Sequence, residues 1–126
     1  MVWNVYIMEV RNTSKNHMGK LEYYTGIAYS PSDATEEVLR NVIRRFHEHH
    51  GHYHSRWMNG TKKIPRRMVF IENSYNDRKS AEIREKEIKK KGRKYKEKLI
   101  CDFRGKNPFL AAAIDKYFYR YATFCY

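Results

Sequence analysis

Cysteine is almost missing from this chain of 126 residues: Cys101 and Cys125 stand apart and form no CxxC pair. A disulfide framework and a thiolate zinc site are therefore poor readings, and a reducing, intracellular compartment is the expectation. Long apolar runs are missing too. No stretch of about 18 apolar residues occurs, so nothing reads as a membrane-spanning helix. The first residues, MVWNVYIMEV, alternate and carry no basic leader, which excludes the pattern of a secretion signal. There is no internal repeat and no low-complexity linker. Leu, Ile, Val and Phe together number 25, at the edge of the range where chains stay disordered. Aromatics move the reading back toward a folded domain: they make up 15% of the residues, with 11 Tyr, and each buried ring removes a large apolar area from water.

Acid is also scarce. Fourteen Asp and Glu face 26 Lys and Arg, a formal net charge of +12. Charge of this size bears on partners, not on fold, and a polyanion is the expected partner, with nucleic acid first and an anionic membrane surface second. The excess is concentrated in two runs. Ser55 to Arg67 holds five Lys or Arg and no acid, and Arg84 to Lys98 holds nine with three Glu. Trp57 and Tyr95 lie within them and Tyr53 just before the first, which favours a phosphate-binding surface with rings that could stack on bases.

The pattern along the chain predicts a small α/β (α+β) domain. Val2 to Val10 and Leu21 to Ala28 read as strands joined by a long polar loop, Arg11 to Lys20. After Pro31, Asp33 and Glu36 have capping-box spacing, and Val38, Leu39, Val42, Ile43 and Phe46 recur at helical spacing. His47 to Lys63, polar and with Gly51 and Gly60, reads as a loop. Met68 to Glu72 suits a buried third strand, Asn73 to Asp77 a turn, and Lys79 to Lys91 a charged helix stopped by Gly92. Arg93 to Ile100 reads as a short helix, and Asn107-Pro108 precedes a last one.

Four patterns bear on chemistry. Arg45 and His49 fall one turn apart on an edge of the apolar helix face, although a boundary Arg that snorkels to water is the commoner outcome of such spacing. Glu85 shares a face with Ala81 and Ile88, a costly place for a carboxylate unless a metal ion or a cation pairs with it; Lys89 at i+4 is the ordinary partner. Tyr6 and Tyr24 lie in the paired strands, Tyr24 two residues before Gly26, where core packing is the usual role. His47, His49, His50, His52 and His54 form a dense tract that matches no zinc-ligand pattern.

The order of these patterns resembles the GIY-YIG nuclease superfamily. The matching segments are Asn4-Val5-Tyr6, Tyr24-Thr25-Gly26, Arg45-Phe46-His47-Glu48-His49, and the stretch from Met68 to Ile100 (MVFIENSYNDRKSAEIREKEIKKKGRKYKEKLI), with Asn107-Pro108 beyond it. The resemblance is strongest to small single-domain members and covers roughly residues 3 to 108. It implies a three-stranded antiparallel sheet flanked by helices and a nuclease domain over 1–108; the Ala-rich, aromatic segment 109–126 lies outside it and reads by its own pattern as a helix packed on that domain, with self-association as the competing role.

The resemblance further implies a Mg²⁺-dependent endonuclease, with Mn²⁺ as a substitute ion. Tyr24 would act as general base with Tyr6 in support. Arg45 would stabilise the transition state, His49 would orient a Tyr or move a proton, and Glu85 would be the metal ligand. DNA, duplex or branched, is the implied substrate, with RNA as the alternative and a protein partner or a homodimer as a source of specificity. Lys62, Lys63, Arg66, Arg67, Lys89, Lys90, Lys91, Arg93, Lys94 and Asn107 are the implied nucleic-acid contacts. Arg40 and Arg44 compete with Arg45 for the motif position, and Arg45 is preferred for its His at i+4. The family's Lys beyond Tyr-x-Gly has no counterpart, since Ile27, Ala28, Tyr29 and Ser30 follow Gly26. The 62–67 cluster must then supply that cation, or the site lacks it. The rival readings are a non-catalytic nucleic-acid-binding module and a His-rich metal binder.

Overall fold

The first strand, β1 (Val2–Asn12), is the middle of the sheet. A central strand covered on both faces needs no polar side, and Val5, Tyr6, Ile7, Met8 and Val10 are all fully buried. β2 (Leu21–Ser30) and β3 (Lys63–Tyr75) pair with it antiparallel on either edge, in the order β2-β1-β3. The computed structural model describes residues 2–12, 20–50 and 63–125. Over these residues the chain is an α+β domain, a three-stranded open antiparallel sheet with four helices.

β3 is longer than the expected Met68 to Glu72. It takes in the basic residues before that run and reaches Tyr75, where a turn was expected. Polar residues and Pro65 hid this part of the strand. An edge strand tolerates both, and Pro65 lies opposite Val10 where the pairing register shifts. In the register, Tyr6 pairs with Gly26 on one side and with Ile71 on the other.

Helix α1 (Thr35–His50) buries Val38, Val42, Phe46 and His49 along one stripe. It starts later than the Asp33 capping box would place it. Ala34 offers the first carbonyl, to the Val38 N–H, and the Ser32 hydroxyl accepts from the Ala34 N–H. It also ends later, so His47 to His50 are helical, not loop. Helix α2 (Arg78–Lys90) is capped by Asp77, whose carboxylate accepts from the Ser80 N–H at 2.8 Å and from the Ser80 hydroxyl at 2.9 Å. Ala81 and Ile88 are its buried residues, and Ile83, off that face, is exposed.

Helix α3 (Arg93–Lys106) runs past the expected end at Ile100 because Phe103 is buried against Phe70, ring centres 5.7 Å apart. Gly92 does not cap α2 in a left-handed conformation. It is the extended residue that starts α3. Asn107 separates α3 from α4 (Pro108–Cys125): its N–H donates back to Phe103 and its carbonyl accepts from Ala111. Pro108 then takes the first helical position, where a missing N–H costs nothing. Ala111, Ile114 and Phe118 of α4 are buried, Phe118 sits edge-on to Phe46 at 4.7 Å, and Tyr117 bonds His47. No helix among the described residues is long and apolar enough to cross a membrane.

Candidate active site

Four elements bring polar side chains to one corner. β1 places Tyr6 there because its register partner Gly26 leaves room for the ring. A Cβ at position 26 would lie 2.5 Å from the Tyr6 hydroxyl oxygen, 2.7 Å from its Cζ and 3.2 Å from Tyr24 Cε1. Glycine is therefore required by space, not by backbone angle. Tyr6 and His49 are fully buried, and Tyr6 Oη shares a hydrogen bond with His49 Nε2 at 2.7 Å. The Tyr24 ring packs edge-on to the same imidazole at 5.1 Å.

The two tyrosines are not equivalent. Burial pushes the Tyr6 hydroxyl far above the ordinary tyrosine value; the Tyr24 phenol and the Glu85 carboxylate add to this, and Arg45 opposes it. Tyr6 thus stays protonated at any working pH. Tyr24 is only partly buried, and Lys89 Nζ lies 5.6 Å from its ring centre. Sequence reasoning looked for the supporting cation after Gly26 or in the 62–67 cluster. Lys62 and the side chain of Lys63 lie outside the described residues; the cation that stands beside Tyr24 is Lys89 of α2. Its spacing from Glu85 was legible, but its approach to a strand residue was not.

Arg45 is distinguished from its neighbours by direction. Arg40 and Arg44 point to solvent, with side chains 69% and 58% exposed, paired to Glu37 and Glu48. Arg45 is 35% exposed, bonds Glu48 at 2.9 Å, and is close enough to the Tyr6 hydroxyl to favour its ionised form. Burial lowers the Arg45 pKa, but Glu48 and Tyr6 more than compensate, so it stays a cation. Glu85 lies on the Ala81/Ile88 side, 17% exposed, and accepts from Lys89 Nζ at 3.2 Å.

Among the described residues no three His, Cys, Asp or Glu converge as a protein-only metal cage. A lone, mostly buried carboxylate near the protonated Tyr6 does suit a hard cation that keeps several waters, as Mg²⁺ does. Glu85 is the residue that would hold it.

The other sequence candidates are placed as follows. Lys90, Lys91 and Lys94 are exposed, with Lys91 over the Tyr95 ring. Tyr95 is half-buried and its hydroxyl accepts from Arg84, so it is a strut and not a free stacking platform. Arg93 covers the β2 edge, donating to the Leu21 carbonyl at 2.7 Å and lying over the Tyr23 ring. Arg67 bonds Glu9 at 3.4 Å and Arg66 is half-buried. Asn107 is not gathered into the corner. It donates to the Phe103 carbonyl and lines a separate cleft of about 570 Å³ with Phe70, Phe103 and Phe109. Lys62, Tyr53, Trp57, His52 and His54 lie outside the described residues, as does the side chain of Lys63.

The corner thus offers a buried Tyr–His pair, a second Tyr at its mouth beside a Lys, a half-exposed Arg and a single carboxylate. Compared with protein-family models, with curated proteins and with solved structures, the chain matches none.

Proposed function

We propose that this chain is a Mg²⁺-dependent endonuclease of the GIY-YIG type that hydrolyses phosphodiester bonds in DNA. The observation that carries the reading is the convergence of Tyr6, Tyr24, Arg45, His49 and Glu85, from four separate elements, on one corner of a strongly basic domain.

Tyr24, at the mouth, is the group that takes a proton from the attacking water. Lys89 beside its ring sets a positive charge next to the phenolate that accepts this proton and becomes a neutral phenol. Tyr6, protonated and hydrogen-bonded to His49, holds the corner in register. Arg45 meets charge developing on the phosphoryl oxygens, a role that requires a permanent cation at half exposure. Glu85 would hold the Mg²⁺, which when bound polarises the phosphoryl group and stabilises the leaving oxygen. The basic residues after Lys89 would grip backbone phosphates, which position a strand without reading its sequence.

The non-catalytic binding module keeps one point in its favour. The Glu85–Lys89 bridge is also what an ordinary helix face carries. Supercoiled plasmid incubated in Mg²⁺, in EDTA, and with Glu85→Ala separates the two. Nicking by the wild type in Mg²⁺ that disappears in both other arms is the expected result. Absence of nicking on plasmid, branched DNA and RNA alike would leave the binding module.

A further inference from the structure

We propose that the β2 edge beside the catalytic corner carries a phosphate pocket, formed by Lys20, Tyr23, Arg93 and Lys96, that binds a phosphodiester neighbouring the one cleaved. The proposal rests on the nucleic-acid reading above and adds a second point of contact to it.

Lys20, Glu22, Tyr23, Arg93 and Lys96 line a cavity of about 220 Å³. Its walls are held in place. Arg93 is fixed by the Leu21 carbonyl, by Glu97 at 2.9 Å and by the Tyr23 ring. Tyr23 and Tyr24 are adjacent in the strand, so their side chains leave on opposite faces, and the α2–α3 corner wraps the edge between them. Lys89 spans the two sides. It lies over Tyr24, and it is close enough to Lys96 to repel it.

Lys96 is the telling residue. It is half-buried, and no carboxylate among the described residues is its partner. Burial lowers its pKa, and the like charge of Lys89 lowers it further. Arg45 and Arg84, which are also partly buried, each have an acid: Glu48 for Arg45 and Glu72 for Arg84. A desolvated ammonium next to a second cation costs stability in the free protein, and an anion would relieve that cost. Three cations against the single carboxylate of Glu22 leave the pocket positive. A backbone phosphate is an anion such a site can take, since lysine ammonium and arginine guanidinium groups both form charge-assisted hydrogen bonds to phosphate oxygens.

The test measures binding and stability without cleavage. A labelled DNA duplex is titrated in EDTA by fluorescence anisotropy between about 50 and 200 mM salt. For Lys96→Gln we expect weaker binding and a salt slope smaller by about one, as for one lost phosphate contact. The free variant should melt no lower than wild type, since it loses a repulsion and not a bond. Lys96→Arg should keep the wild-type slope. Lys116→Gln, an exposed charge removed on α4, is the control and should leave the slope unchanged.

A Lys96→Gln slope equal to that of wild type, or shifted only as much as the control, overturns the pocket. So does a variant that melts lower and binds normally. Inorganic phosphate that raises the wild-type melting temperature but not that of Lys96→Gln, with DNA binding unchanged, would reassign the site to free phosphate and overturn the nucleic-acid assignment. Failure of plasmid nicking with the Lys96 effect intact would sink the nuclease and keep the pocket; nicking without the Lys96 effect would do the reverse.

Discussion

Arg84 and Glu85 are neighbours on α2, yet they face opposite electrostatic situations. Arg84 is closed: its Nε and Nη2 donate to Glu72 at 2.9 and 3.4 Å, and its Nη1 donates to Glu87 at 2.7 Å and to Tyr95 at 3.2 Å. Tyr75 completes the set by donating to the same Glu72 at 2.6 Å; burial first, and Glu72 after it, push the Tyr75 pKa up to about 12. Glu72 and Tyr95 also hold Arg84 well above the usual arginine range. This network ties β3, α2 and α3 together and has little left to offer a ligand. Glu85 is open: one Lys faces it, two tyrosines stand near, and cations follow along the helix. A saturated network stabilises a fold, and an undersaturated one is where an outside charge gains most from binding.

The largest expected effect comes from exchanging the two neighbours in turn. Glu85→Gln should lower Mg²⁺-dependent nicking by at least about 10²-fold, the scale of one lost transition-state contact, with the melting temperature almost unchanged. Arg84→Gln should do the opposite. It leaves Glu72 and Glu87 without their main partner and should cost about 2–3 kcal/mol in a urea melt, with cleavage per folded molecule retained. If Arg84→Gln abolished nicking at full stability, the division between a closed and an open side would fail.

Gly26→Ala comes next. The added Cβ meets the Tyr6 hydroxyl at 2.5 Å and the Tyr24 ring at 3.2 Å, and the Tyr6 ring is buried and cannot swing away, so overpacking should cost about 1–3 kcal/mol. Tyr6→Phe in the same chain should return part of that, because the nearest clashing atom is gone. By itself, Tyr6→Phe gives up the 2.7 Å bond to His49, at a cost of about 1 kcal/mol. A double variant no more stable than Gly26→Ala would mean that the clash is relieved elsewhere.

Alkaline pH should probe the same residue. The folded pKa of Tyr6 lies above that of an unfolded tyrosine, about 10, so below that pH both states hold the proton and stability is flat. Above it the unfolded chain ionises first, and stability falls as pH rises. Melting temperatures from about pH 8 to about pH 11 should therefore fall more steeply for wild type than for Tyr6→Phe. Parallel curves would place the Tyr6 hydroxyl in contact with water.

What could be read in advance depended on periodicity. Arg45 and His49 at i+4, Glu85 between Ala81 and Ile88, and Gly26 two residues after Tyr24 are one-dimensional patterns, and the structure places them at one corner. Contacts between elements were hidden. Nothing in the spacing of Lys89 predicts its approach to Tyr24, and nothing in the sequence of Lys96 marks it as unpaired. The extent of β3 was missed because an edge strand accepts Pro65 and charge where a central strand would not. Asp77 was readable in principle, since Asp with Ser three residues on is a capping signal, but it was taken for part of a turn.

The smallest effect is expected at Gly92, where a motif glycine was read as a helix stop. Its backbone is extended at φ −76°, ψ −179°, and a Cβ there would meet nothing within 4 Å. Alanine is a poorer helix start than glycine, but it also restricts the unfolded chain, and the two effects oppose each other. Gly92→Ala should therefore shift stability by less than about 0.5 kcal/mol and leave nicking untouched. The contrast with Gly26 is the point of the measurement: one glycine is required by the ring packed against it, the other by nothing in its surroundings. A loss above about 1 kcal/mol at Gly92 would show that the α2–α3 corner tightens around it, and that the open side of the molecule is more closely packed than its charges suggest.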